Sequence, residues 1–441
     1  MSFGNRPKSF ANNFLYSVSY GVERMKLLHT SDWHLGIMLN ERSRREEMLA
    51  FFDFLRTTIV SEGVDTLVIS GDVFDTASPS SEAENMYYNF LVSIQGSCCK
   101  DVVIIAGNHD SPSKLRASKE LLKLLNIHVY CNLSDVEPLV LSGAIIVPVP
   151  FLRDRELLTA VLGESIEQCE DRRKAAIEKV YNDMLAKALS FKMELNLNLP
   201  IIALGHVAVT SGFTPDKGLY LGGLGVLDAS SFSDKFAYVA LGHIHKRQQV
   251  SDNVWYCGSP IAMSFDEAKY EKSVGLVNCD GNSIDVKLVP VPRFRSLITV
   301  KGKLEDVREQ LKALAESAQT EGAQTEAAQT EDKLGLNGWI SIQLEDNWGY
   351  GALKEEAQTL LADCGLEVLA VKNVGSSPAL NLEESVALTS LSVEQVFEQL
   401  LDERSEDASG WSIRPRSEEK KELMELFDYV VEQVRVGQDE N

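Results

Sequence analysis

Across residues 25–290, short apolar runs alternate with longer stretches whose apolar positions recur every three or four residues. The short runs predict strands over Met25–Thr30, Asp65–Ser70, Val102–Ala106, Ile145–Val149, Ile201–Leu204, Tyr238–Leu241 and Val254–Tyr256. The periodic stretches predict helices around Arg44–Val60 and Ser81–Ile94, between the first three strands, and a longer one across Ser165–Leu189. Strands separated by helices are the pattern of an α/β protein. A hairpin is expected around Asp280-Gly281-Asn282, a turn that favours left-handed backbone angles.

After Pro290 and Pro292 the pattern changes. A small α/β unit is expected, with a strand over Trp339–Leu344 and a helix near Leu353–Asp363. It is interrupted between Ala318 and Glu331, where Ala-Gln-Thr-Glu occurs three times at a five-residue spacing. That spacing matches no stacking repeat, so the segment reads as a solvated linker or a frayed helix extension. Two further helical segments follow, Val393–Leu401 and Glu418–Val436, each with its apolar residues along one face. The organisation this implies is an N-terminal extension (1–24), a main domain (25–292), a smaller domain (293–385) with an insertion near 316–333, and C-terminal helices (386–441). Met25 opens the first convincing strand, so residues 1–24 are expected to have no catalytic role.

A chain of 441 residues is long enough for two or three domains. No apolar run reaches the roughly 20 residues needed to span a bilayer, so no membrane association is expected. The seven cysteines are odd in number and form no CxxC pair, which fits reduced thiols and a cytoplasmic location. The net charge of -22 argues against coating nucleic acid by bulk attraction. Its distribution is uneven: residues 301–441 hold 13 Lys and Arg against 30 Asp and Glu, while residues 1–300 hold 30 against 35. Phosphate binding in the first two thirds would therefore rest on metal ions and local basic groups.

The candidate chemistry lies at strand ends. Asp32-Trp33-His34, Gly71-Asp72 with Asp75, Gly107-Asn108-His109-Asp110, Gly205-His206 and Gly242-His243-Ile244-His245 each follow or finish a predicted strand. In open α/β sheets the loops at the carboxyl ends of strands gather on one rim and form the site. Residues i and i+2 of extended chain project to the same side, so Asp32/His34 and His243/His245 can each aim two groups together. Five of the seven histidines lie in these motifs, and the other two, His29 and His128, are expected to be structural. Each motif alone is weak, since a strand-end histidine or a Gly-Asp turn is usually structural; the conjunction in this order is what points to a metal site. Oxygen and imidazole donors without cysteine suit manganese, iron, zinc or cobalt in a catalytic site. Seven groups are too many for one four-coordinate ion and about right for two, which a shared carboxylate would hold about 3.5–4 Å apart.

At these motifs the sequence resembles the calcineurin-like metallophosphoesterases and, within them, the SbcD nuclease subunits. The likeness is carried by Leu28-His29-Thr30-Ser31-Asp32-Trp33-His34-Leu35-Gly36, Gly71-Asp72-Val73-Phe74-Asp75, Ala106-Gly107-Asn108-His109-Asp110-Ser111, Ala240-Leu241-Gly242-His243-Ile244-His245, Tyr256-Cys257-Gly258-Ser259-Pro260 and Ser264-Phe265-Asp266-Glu267. It covers about residues 25–290 well and is a matter of layout beyond that. The resemblance implies a four-layer α/β/β/α sandwich with a small α/β capping domain. It implies that Asp32, His34 and His245 hold one metal, Asn108, His206 and His243 the other, and that Asp72 bridges them. His109 would be the acid that protonates the leaving oxygen, with Asp75 as its orienting partner. The family implies two divalent ions, preferentially Mn2+, and a DNA substrate cut as double-strand 3'-5' exonuclease and as single-strand and hairpin endonuclease, in repair, recombination and replication. It implies an SbcC-type coiled-coil ATPase partner gripped by the C-terminal helices, and a homodimer of nuclease subunits within a heterotetramer. The metal motifs themselves admit other phosphoesterases, acting on protein, cyclic-nucleotide or lipid phosphates, and a scaffold with an idle site is a further alternative.

Overall fold

The computed structural model describes residues 24–374 apart from 160, 162–163, 211–225, 282, 322–335, 347–349 and 363, together with five positions between 420 and 427. The expected segments at 1–23 and 393–401, the last two Ala-Gln-Thr-Glu copies and most of 418–436 lie outside the described residues.

Two six-stranded sheets form the main body. In the first, β1 (Arg24–Thr30), β2 (Thr66–Ser70), β3 (Asp101–Ile105) and β4 (Ile127–Tyr130) run parallel in that order. The second contains β5 (Leu139–Val140), β6 (Ile145–Pro148), β7 (Ile201–His206), β8 (Tyr238–Gly242), β9 (Gln248–Ser251) and β10 (Val254–Tyr256), in the order β9-β10-β8-β7-β6-β5. Its inner strands β6, β7, β8 and β10 are parallel. A hairpin of β11 (Ser273–Asp280) and β12 (Ser283–Pro290) completes the first sheet by pairing antiparallel along β1, at the turn read from the sequence.

Three apolar clusters fix the layering. Helices α1 (Arg45–Glu62) and α2 (Ser81–Ser93) cover the outer face of the first sheet through Phe51, Leu55, Tyr87 and Phe90. Helix α3 (Ile166–Glu194) covers the outer face of the second through Ile177, Tyr181 and Ala188. Between the sheets, Leu27, Val68 and Ile105 meet Ile146, Ile202 and Ala240. The expected α/β/β/α sandwich is what the chain forms. Strands buried on both faces explain why β2 and β8 read as unbroken apolar runs.

The smaller unit has three parallel strands, β13 (Leu297–Gly302), β14 (Gly338–Leu344) and β15 (Leu366–Asn373), covered by α4 (Leu304–Glu321) and α5 (Tyr350–Leu360). Helix α4 runs into the first Ala-Gln-Thr-Glu copy. This unit is seated on the start of α1. Arg295 pairs with Glu46 at 3.0 Å and Glu47 at 2.7 Å, and its guanidinium lies 4.1 Å from the Trp339 ring centroid. Arg44 also pairs with Glu47, at 2.8 Å, and Arg42 pairs with Glu367. The loop carrying His34 therefore leads directly into this junction. Among the described residues no helix is long and apolar enough to cross a membrane.

Candidate metal centre

Five loops or strand ends, drawn from both sheets, converge on one rim of the sandwich. Their backbones are tied together before any side chain is considered. The Asp32 and His34 amides donate to the carbonyls of Gly71 and Asp72, each at 3.0 Å. The His109 amide donates to Asp72 Oδ1 at 2.9 Å, and the His243 amide to Asp32 Oδ1 at 2.9 Å. Asp32, His34, Asp72 and His243 all have positive φ, from 46° to 98°. Such angles cost on the order of 1–3 kcal/mol each and persist only where the surroundings impose them. Two glycines explain how the loops come so close. A Cβ at Gly107 would lie 2.1 Å from Asp72 Oδ1, and one at Gly242 would lie 1.9 Å from the Ser70 carbonyl.

The seven sequence-predicted metal ligands meet here, six of them in two groups around Asp72. In the first, Nε2 of His34 lies 3.1 Å from Nε2 of His245, and Asp32 offers a carboxylate oxygen within 4.8 Å of both rings. In the second, Oδ1 of Asn108 lies 3.0 Å from Nε2 of His206 and 3.2 Å from Nδ1 of His243. Oδ2 of Asp72 faces both groups, 3.6 Å from His34 Nε2 and 3.3 Å from His206 Nε2.

Tautomers follow from the second nitrogen of each ring. His206 Nδ1 donates to the Ser70 carbonyl at 2.8 Å, and His245 Nδ1 donates to Glu267 Oε1 at 2.8 Å. With Nδ1 committed in this way, both rings turn Nε2 toward the centre, the nitrogen a cation would take. Nitrogen and oxygen donors converging in this way, with no thiolate among them, fit divalent ions of the manganese, iron or zinc type.

Charge within the site is tightly compressed. Burial pushes imidazoles toward the neutral form, and at His243 this effect, reinforced by the nearby His206, brings the pKa down to about 4. At His206 burial acts the same way but the Asp72 carboxylate outweighs it, and the pKa rises to about 9. Burial would raise Asp72, yet His206 and His34 hold it well below the usual carboxylate range. Buried Asp110, beside Asp72, is pushed up to about 6 even though it accepts from the amides of Gly107, Val73 and Phe74.

His109 stands apart from the buried set. Its side chain is exposed, and its Nδ1 donates to the main-chain carbonyl of Asp75 at 2.7 Å. That contact is made by the Asp75 backbone; the Asp75 carboxylate lies 3.3 Å from His34 Nδ1. Proximity would admit His109 to a metal group with His34 and Asp72. His29 and His128 lie outside the centre, His29 bonded to the Tyr238 hydroxyl at 3.0 Å and His128 to Asp101 at 3.2 Å.

Three residues that organise the site carry no role legible in the sequence. Asp110 ties the Gly71 and Gly107 loops by its three amide bonds. Glu267 holds His245 and is itself fixed by Lys272 Nζ at 2.8 Å and the Met263 amide at 3.2 Å. Burial and the His245 and Lys272 charges act in opposite senses on Glu267, and the charges win, bringing it down to about 2. Lys272, nearly fully buried, also donates to the His245 carbonyl at 3.1 Å. Asp110 closes the Gly107-Asn108-His109-Asp110 motif and Glu267 closes the Ser264-Phe265-Asp266-Glu267 stretch, but residue type and spacing assign neither of them a role.

Residues 25–247 match the family described as calcineurin-like phosphoesterase. Residues 293–405 match the type 5 capsule protein repressor C-terminal domain. The chain is similar to the SbcD subunit of the SbcCD nuclease from Escherichia coli K12, with 32% identity over 389 residues, 86% of this chain and 92% of that protein. It is similar to the SbcD subunit from Bacillus subtilis 168, with 32% identity over 268 residues, 58% and 66% of the two chains. The corresponding protein of Rhodobacter capsulatus is 31% identical over 288 residues, 61% of this chain and 70% of its own.

Proposed function

We infer the function from one premise: the chain belongs to the calcineurin-like phosphoesterase family, as a homologue of the SbcD subunit of the SbcCD nuclease. It is a metal-dependent phosphoesterase of the nuclease type. The substrate in this reading is DNA, cut at phosphodiester bonds as a double-strand 3'-5' exonuclease and a single-strand and hairpin endonuclease, in repair, recombination and replication. Asp32, His34 and His245 would hold one divalent ion and Asn108, His206 and His243 a second, with Asp72 between the two groups. The observation that carries this assignment is the single Asp72 oxygen facing His34 and His206 at 3.6 and 3.3 Å. Manganese is the proposed ion, on the family likeness alone; the mixed oxygen and imidazole donor set admits it alongside iron and zinc.

Two bound divalent ions would neutralise charge on the phosphoryl oxygens and make a water nucleophilic near neutral pH. The chain's own residues do the rest. Asp72 and the strained loops fix the spacing of the two donor groups. His109, exposed on the rim and held through Nδ1, keeps Nε2 available to protonate the leaving oxygen. Glu267 and Ser70 keep His245 and His206 in the binding tautomer.

The partner in this reading is an SbcC-type coiled-coil ATPase, and the nuclease subunit works as a homodimer within a heterotetramer. The match over 293–405 and the striped segments 393–401 and 418–436 support that assembly. Residues 25–292 form the nuclease domain and 293–385 the capping domain. Seven cysteines without a disulfide fit a cytoplasmic protein. The test is a direct comparison of hairpin and blunt-ended DNA, p-nitrophenyl phosphate and a cyclic nucleotide, each with manganese, with and without the partner ATPase and ATP. Manganese-dependent DNA cleavage that outpaces the other substrates is expected. Faster hydrolysis of a monoester or cyclic nucleotide than of DNA would overturn the reading.

A further inference from the structure

Beside the metal centre lies a concentration of positive charge that the centre does not use. The His245 loop continues into Lys246 and Arg247, and the segment that follows Glu267 supplies Lys269 and Tyr270. The ammonium groups of Lys246 and Lys269 both lie 5.1 Å from the centroid of the Tyr270 ring. Both lysines are exposed and neither forms an ion pair among the described residues. Arg247 and Arg293 line the same 470 Å³ cavity as Tyr270. Arg247 is paired with exposed Glu271 at 3.1 Å, and exposed Arg293 donates to the Ala268 carbonyl. Asp266 is the other exposed acid on this segment. The patch is joined to the site by the bond from Lys272 to the His245 carbonyl.

Two ammonium groups around one ring repel each other, and the ring's attraction for each is modest. An anion would relieve the repulsion. That such a cluster stands next to the phosphate-processing centre of a chain with net charge -22 sets it apart from the surrounding acidity. The geometry points to this surface, Lys246, Arg247, Lys269 and Arg293 around Tyr270, as the track for the sugar–phosphate backbone of the DNA strand whose scissile phosphate lies at the metal centre. The inference rests on the DNA-nuclease reading and adds to it the face on which the strand leaves the site. Tyr270 offers a ring for a base or sugar, and the cations contact phosphates in a sequence-independent way.

The experiment measures DNA affinity against salt concentration for the full chain, with calcium replacing manganese to prevent cleavage. Each phosphate contact contributes about one unit to the slope of log affinity against log salt. The double substitution Lys246→Gln, Lys269→Gln should lower the slope by about two and weaken binding equally across sequences. Its metal content should stay at the wild-type value. A control pair on α3, Lys179→Gln and Lys187→Gln, removes the same charge and should leave the slope unchanged. The inference is overturned if the patch variant keeps the wild-type slope, as it would if this face served a protein partner, or if the control pair lowers it as much. Failure of the nuclease reading looks different: the wild-type chain with manganese would then hydrolyse a monoester or cyclic nucleotide faster than DNA.

Discussion

The Nε2 atoms of His34 and His245 lie 3.1 Å apart although 211 residues separate them in the chain. Each side chain comes from a different sheet, and each ring has its other nitrogen occupied or faced by a carboxylate, Asp75 for His34 and Glu267 for His245. Two ring nitrogens this close can share a proton or hold a cation between them, and the carboxylates behind the rings increase their basicity.

Loss of the His109 ring should slow DNA cleavage by roughly 10²–10⁴-fold, the usual contribution of a positioned acid. The discriminating measurement is His109→Ala on a p-nitrophenyl phosphodiester, whose leaving group departs without a proton. Little effect there, with metal content intact, is the expected result. An equal fall on both substrates would mean that His109 acts as a ligand.

Glu267 acts on the first donor group alone. Glu267→Gln keeps its shape but removes the charge that turns His245, and partners of this kind typically change metal affinity about 10–100-fold. Titration calorimetry with manganese should show one weakened binding event and one unchanged. Two unchanged events would sink this role.

The junction between the two units depends on Glu47, whose carboxylate serves both Arg44 and Arg295 while all three are buried. Removing one member of such a set leaves charge uncompensated, and Glu47→Ala should cost about 3 kcal/mol in denaturant unfolding. A change within about 0.5 kcal/mol would place it with ordinary surface substitutions instead.

The ligand motifs were legible because the chemistry sits where the apolar runs stop. Asp32, Asp72, Asn108 and His243 each lie within three residues of the end of a strand whose buried run of apolar residues makes it conspicuous. The main strands and helices were read to within a few residues for the same reason. What stayed hidden depends on contacts between distant segments. Nothing near Glu267 or Lys272 in the sequence says that the pair is buried beneath His245. Strand β13 and helix α4 have no clear signature in the apolar pattern, since β13 mixes buried and exposed positions and its partner β14 follows only after the insertion. His128 lies in β4, a strand the apolar pattern did not single out, and its pairing with Asp101 is set by strand register. The Asp75 carboxylate facing His34, and its carbonyl holding His109, reflect loop geometry that residue types do not encode.

Everything proposed for the centre depends on Asp72 serving two ions at once. Elemental analysis after equilibrium dialysis against manganese tests this most directly, on the wild-type chain and on Asp72→Ala, with folding checked by circular dichroism. A shared Asp72 predicts two manganese ions per wild-type chain and the loss of both, or all but a weak remainder, in the variant. One ion per wild-type chain, or a folded Asp72→Ala that keeps two, would contradict it.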